Sequence, residues 1–314
     1  MISLLNLEPL DYSKNAADIL NDFCLIKNGP MNRKQLINEI NLYEILIVRL
    51  SHQIDKEIIN AGQKLKVICS ATTGLNHIDI DHAYKKNISI LSLKGDYKFL
   101  DKIHATAEHT WALIMSLKRK INQASISVTL DKWERDSFKG SELNGSTIGI
   151  VGYGRIGKKI ANYAKSFGMD VLVYDKYEVF DSRVIQEKSL SNLLSKSDIV
   201  SIHLPLNEKT INMFSIEQFQ KMKKNSILVN TSRGEIINEN DLIESLEKKY
   251  FYGAALDVIQ NEVGFKNHGN STIVEYAKKN NRLLITPHIG GATYESMEKT
   301  EVYMANKIKD FYKN

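Results

Sequence analysis

Three side chains of complementary chemistry follow three successive apolar runs in the second half of the chain: Arg233 after Ile227 to Asn230, Glu262 after Ala254 to Asp257, and His288 after Leu283 to Thr286. Histidine ionises near neutral pH, so it can give or take a proton at oxygen as a carbonyl and an alcohol interconvert. A carboxylate hydrogen-bonded to that ring, as Glu262 would be to His288, sets its orientation and favours its protonated form. The planar guanidinium of Arg233 suits a carboxylate beside the reacting carbon. Such a trio supports hydride transfer to or from a hydroxyl-bearing carbon, with the hydride carried by a cofactor. Ligands of open α/β sheets bind outside the carboxyl ends of the strands, so these three positions are expected at one crevice.

The cofactor has its own signature upstream. An apolar run, Thr147 to Val151, leads straight into Gly152-Tyr153-Gly154-Arg155-Ile156-Gly157 and then a helical pattern. Gly152 and Gly154 let the backbone turn tightly against a pyrophosphate, whose charge rests on the amides and positive dipole end of the helix that Arg155 and Ile156 open. Gly157 allows that helix to lie close to the strand. A second strand, Asp170 to Asp175, follows a helix closed by Gly168, and Asp175 lies 18 residues beyond Gly157. An acid there accepts ribose hydroxyls and repels a 2′-phosphate, which selects NAD over NADP, although Lys176 beside it works the other way. His203 ends another strand of this half and is expected to line the cofactor.

The elements that must position these groups alternate in type. In the first hundred residues, Glu44 to Arg49, Leu65 to Ser70 and Ile88 to Leu91 are strand-like runs separated by helical patterns, which implies a parallel sheet flanked by helices. One amphipathic helix is expected from about Ala105 to Asn122. From Thr147 the alternation restarts and runs through Asp198 to His203, Ser226 to Asn230, Tyr252 to Asp257 and Arg282 to Thr286. The last helix, Tyr294 to Tyr312, has too little chain after it to form a domain and is expected to return to the first one. Two α/β domains follow, the second inserted into the first, with boundaries 1–104 plus 289–314 and 105–288.

Composition narrows the function. At 314 residues the chain exceeds the usual single domain. Its 42 basic and 37 acidic residues are dispersed, giving a net charge of +5 without a basic block. This argues against nucleic acid as partner and suits a small anionic substrate. Cys24 and Cys69 are too few for a disulfide framework and are read as reduced and buried. Met1 to Glu8 does not read as an export leader, and no run reaches the roughly 18 apolar residues that span a bilayer. The expectation is a cytoplasmic protein without membrane contact. His52, His77, His82, His104, His109 and His268 show no metal-ligand spacing, so no metal is expected and these are read as surface or structural residues.

Five runs together carry a resemblance: Val151 to Gly157, His203-Leu204-Pro205-Leu206, Asn230 to Glu235, Ala255-Leu256-Asp257-Val258, and Thr286-Pro287-His288-Ile289-Gly290-Gly291. In this order they resemble the D-isomer-specific 2-hydroxyacid dehydrogenases. Lys132 to Arg135 and Phe138 to Leu143 are similar to the branch of that family that acts on 3-phosphoglycerate, without the regulatory domain many of its members append. The resemblance implies a Rossmann NAD-binding domain inserted into a flavodoxin-like substrate domain, both doubly wound parallel sheets, and a homodimer built around the cofactor domain. It also implies catalytic roles for Arg233, Glu262 and His288, with NAD contacts from Pro205, Thr210, Thr231, Asp257 and Gly290 besides the glycine turn, Asp175 and His203. Thr73 and Gly74 look like the family loop that holds the substrate carboxylate by its amides, with Arg49 adding charge for a phosphate. The chain departs from the family at Val263-Gly264, where a proline is usual nearby, in the long segment Phe265 to Asn281, and in the charged stretch Lys94 to Lys102. Both long segments are expected to border the substrate. Two rival functions share the fold: an NADH-sensing protein like the family's transcriptional corepressors, and a formate or phosphite dehydrogenase.

Overall fold

A computed structural model describes residues 1–262, 265 and 270–313. The chain divides into two compact units, Met1–Ile103 with Ala292–Asn314, and His104–Gly291.

The first unit is a five-stranded sheet of β1 (Ile2–Asn6), β2 (Cys24–Asn28), β3 (Ile45–Ile47), β4 (Val67–Ser70) and β5 (Ser89–Ser92). All its strand pairs are parallel, in the order β2-β1-β3-β4-β5. This is the flavodoxin-type arrangement. β3 and β4 are buried along their whole length, as their unbroken apolar runs require of strands covered on both faces. β1 and β2 went unread in the sequence: β2 lies on the edge, and three of its five residues, Leu25, Lys27 and Asn28, are exposed. The final helix, Tyr294–Lys313, returns to this unit, where Met304, Ala305 and Ile308 join Leu4, Leu20, Ile45 and Val67 in one core.

The second unit carries β6 (Thr147–Val151), β7 (Asp170–Tyr174), β8 (Ile185–Gln186), β9 (Ile199–Ile202), β10 (Ile227–Asn230), β11 (Gly253–Leu256) and β12 (Leu283–Ile285). Their order is β12-β11-β10-β9-β6-β7-β8, again all parallel. Strand order reverses between β6 and β9, the switch point at which doubly wound sheets open a crevice. The helix expected from Ala105 to Asn122 is two helices, Ala105–Arg119 and Ile121–Thr129, joined at Lys120, whose φ of 52° is left-handed. The break coincides with a contact from a later segment. Lys118 O accepts Ser141 N at 3.1 Å from the returning chain, which takes the acceptor that a continuing helix would use. Cys24 and Cys69 are free and buried. Among the described residues, no helix is long and apolar enough to cross a membrane.

Candidate active site

The glycine turn after β6 is shaped by contacts that leave no room for side chains. Gly152 has φ +97°, and a Cβ there would lie 2.6 Å from His203 O. A Cβ on Gly157 would lie 2.2 Å from Gly152 O, so the helix Arg155–Ser166 rests directly on the turn. Gly154 differs: its Cβ would meet nothing within 4 Å, and as N-cap it supplies no side-chain hydrogen bond. The turn therefore holds an open space against the positive end of a 12-residue helix, which fits the pyrophosphate of a dinucleotide. Arg155 and Ile156 form the first turn of that helix. Asp175, just past β7, accepts Tyr153 N at Oδ2 (2.7 Å) and Tyr177 N at Oδ1 (3.0 Å), which brings its charge beside the cradle. Lys176 is directed elsewhere, its Nζ 4.6 Å from the centre of the Tyr177 ring.

His203 follows β9, with its amide donating to Val151 O at 2.8 Å and its Nε2 2.8 Å from Ser201 Oγ. Burial pushes its pKa down to about 3, so the ring is neutral. Beyond it, Thr210 Oγ1 donates to Pro205 O and accepts Asn207 N, both at 2.8 Å, closing the turn that begins at the exposed Pro205. Thr231 is buried, its hydroxyl 2.7 Å from Thr110 Oγ1, which itself donates to Thr106 O. Thr110 has spent its proton, so the Thr231 hydroxyl donates to it.

Arg233 is carried by a turn that Asn230 braces from the end of β10. The Asn230 amide donates to Arg233 O at 2.8 Å while its oxygen accepts Ser232 N and Ser232 Oγ. Burial lowers the Arg233 pKa, and the charges of Glu262 and Glu235 oppose this. His288 Nδ1 lies 2.7 Å from Glu262 Oε2. His288 itself has a φ of +54°, a conformation a non-glycine residue adopts at a cost of order 1 kcal/mol and keeps only where its surroundings enforce it. Here they do. His288 N donates to Asp257 O at 2.8 Å, and the buried Asp257 carboxylate accepts Ile289 N (2.9 Å), Gly290 N (2.7 Å) and Thr286 Oγ1 (2.6 Å). His109 Nε2, from the helix Ala105–Arg119, completes the clamp 3.1 Å from Asp257 Oδ1. Burial alone would raise the Asp257 pKa, but these donors outweigh it and hold the carboxyl ionised.

The second unit thus brings Arg233, Glu262 and His288 to the carboxyl edge of the sheet that also bears the glycine turn. Asp257 and Gly290, expected as cofactor contacts, secure the His288 turn. Asn230 had no role in the sequence reading, and His109 was one of six histidines read as surface or structural. Asn230 had a usable signal, as a buried polar residue ending an apolar strand. His109 had none, since its partner lies 148 positions away. In the first unit, Thr72 Oγ1 donates to Gly74 O at 2.9 Å and Thr73 is exposed. Arg49 is engaged: its guanidinium meets Glu301 Oε1 (3.2 Å), Glu8 O (2.9 Å) and Glu8 Oε2 (3.8 Å). In the charged stretch Lys94 to Lys102, Asp96 Oδ2 accepts Lys307 Nζ at 2.9 Å. The long segment Phe265 to Asn281 contains the helix Thr272–Lys279, whereas Val263, Gly264 and His268 lie outside the described residues. Among the described residues, no three His, Cys, Asp or Glu side chains group as a metal site needs.

Comparison with known proteins bears on the same region. Residues 111–290 match the model of the D-isomer specific 2-hydroxyacid dehydrogenase NAD binding domain. A D-3-phosphoglycerate dehydrogenase of Archaeoglobus fulgidus is 34% identical over 310 residues, covering 98% of this chain and 55% of that protein. The chain spans about half the length of such relatives. A hydroxypyruvate reductase of Thermotoga maritima is 32% identical over 303 residues, 96% of this chain and 95% of its own. Among solved structures, the D-lactate dehydrogenase of Aquifex aeolicus complexed with NAD and lactic acid superposes with a TM-score of 0.86 at 27% identity, covering 99% of this chain and 95% of that one.

Proposed function

The chain belongs to the D-isomer specific 2-hydroxyacid dehydrogenases, and from that premise we propose that it moves a hydride between NAD and C2 of a small D-2-hydroxy acid or its 2-keto counterpart. The observation that carries the proposal is the 2.7 Å contact of His288 Nδ1 with Glu262 Oε2, at the sheet edge that bears the glycine cradle. NADH, when bound, supplies the hydride that C2 gains. The chain's residues manage the proton and the charge. With Nδ1 held by Glu262, Nε2 of His288 is the nitrogen that donates to the carbonyl oxygen during reduction and takes the hydroxyl proton during oxidation. The Glu262 carboxylate stabilises the imidazolium that donates. Arg233 stays cationic despite its burial, and its fork holds the substrate carboxylate. The family resemblance supports Thr73 and Gly74 as a substrate-binding loop, and Asp175 supports a preference for NAD over NADP.

We assign the substrate to unphosphorylated keto acids of glyoxylate or hydroxypyruvate size. A phosphate needs unspent positive charge, and Arg49 is already shared by Glu8 and Glu301. The phosphate role that the resemblance gave Arg49 is therefore not carried into the proposal. We also propose a homodimer, because Ile121, Ile126, Val128, Leu130 and Trp133 of the second unit form an exposed apolar stretch.

NADH oxidation followed against glyoxylate, hydroxypyruvate, pyruvate and 3-phosphohydroxypyruvate tests the proposal. Turnover is expected with the unphosphorylated acids, with kcat/KM several-fold above that for the phosphorylated one. No turnover of any 2-keto acid would contradict the reaction. Preference for the phosphorylated acid would contradict the substrate assignment alone.

A further inference from the structure

We propose that Glu239 is a positioning residue for the Glu262–His288 pair: its carboxylate holds the backbone amide of Gln260 and adds a second negative charge near Glu262. This rests on the role of His288 as proton donor and names a group behind it. Glu239 opens the helix Glu239–Glu247, and its Oε1 accepts Gln260 N at 2.6 Å. Gln260 lies past the end of β11, two positions before Glu262. Its side chain is also fixed, with Nε2 donating to Ile237 O at 2.7 Å and to Asn212 Oδ1 at 3.3 Å. Gly234 abuts the same peptide, so near that a Cβ would lie 2.0 Å from the carbonyl carbon of Ile259 and 2.5 Å from Gln260 N. The turn bearing Arg233 and the segment bearing Glu262 therefore meet at the Ile259–Gln260 peptide, and Glu239 fastens that peptide by its N–H. Movement there changes the direction from which Glu262 reaches the imidazole.

The electrostatics act in the same direction. Burial raises the Glu239 pKa to about 7; the Gln260 amide opposes the rise, and the charges of Glu235 and Glu262 add to it. The groups facing it are Glu235 from the turn after β10, Glu262 from the segment after β11, and Arg233, whose guanidinium is coupled to both of these glutamates. As pH rises through neutrality Glu239 gains its charge, and a negative charge near the Glu262–His288 pair favours the imidazolium that donates the proton.

Two substitutions separate the hydrogen bond from the charge. Glu239→Gln keeps an oxygen for the Gln260 amide and loses the charge, whereas Glu239→Ala loses both. In Glu239→Gln, kcat for keto-acid reduction at slightly acidic pH should match the unmodified protein, and the alkaline limb of its pH profile should lie lower by about half a unit to one unit. In Glu239→Ala, kcat should fall about tenfold with KM for NADH little changed. The ring of His288, titrated by NMR without substrate, should show the same downward displacement in Glu239→Gln. An unmoved ring titration would overturn the proposal even if no substrate were found, and so would unchanged kcat in Glu239→Ala. A displaced titration in a protein that reduces no keto acid would support the role of Glu239 while refuting the reaction proposed above.

Discussion

At the residue scale, the chemistry we propose rests on side chains whose identity is visible in the sequence and whose support is not. Arg233, Glu262 and His288 stand out because each follows an apolar strand, and parallel strands deliver their ends to one edge. The groups that hold them were hidden for a physical reason: a hydrogen bond between His109 and Asp257, or between Glu239 and Gln260, joins segments with no sequence periodicity in common. His203 gives a test at this scale. Its half-buried neutral ring has a pKa near 3 against an ordinary 6.5, so the folded protein binds fewer protons than the unfolded chain between these values. Stability should therefore fall as pH drops from about 6.5 towards 3. Urea unfolding across that range should show a shallower acid decline in His203→Gln, and identical declines would contradict the neutral half-buried state.

At the element scale, most strands of the second unit were legible because they are short apolar runs, such as Ile199–Ile202 and Ile227–Asn230, bounded by turn residues. β1, β2 and β8 were missed: β2 and β8 are edge strands, each with a single neighbour, and their exposed residues erase the pattern. The helix break at Lys120 was invisible because the contact that coincides with it, Ser141 N on Lys118 O, comes from 21 residues downstream. The two glycines of the cradle should separate stability from binding. Gly157→Ala drives a Cβ into Gly152 O and should cost roughly 1–3 kcal/mol of stability along with NADH affinity. Gly154→Ala meets only open space and should leave the melting temperature unchanged while weakening NADH binding. Calorimetric melting and fluorescence titration with NADH read the two effects, and equal destabilisation by both would contradict the geometry of the turn.

At the scale of the whole molecule, the two sheets follow two related plans of one architecture, and both strand orders were implied by the resemblance rather than by periodicity alone. Assembly is the property least visible in one chain. The exposed Leu130 and Trp133, 62% and 87% accessible, predict a dimer of twice 35.7 kDa by light scattering, and Leu130→Ser with Trp133→Ser should shift it to the monomer mass. A monomeric parent protein would contradict this. The central claim is that His288 exchanges the proton as C2 exchanges the hydride. Its most direct test is the single-turnover rate of keto-acid reduction by enzyme saturated with NADH, compared between the parent protein and His288→Gln. A fall of about 10²–10⁴-fold in that rate with unchanged NADH affinity is predicted; a rate within a few-fold of the parent would contradict the account.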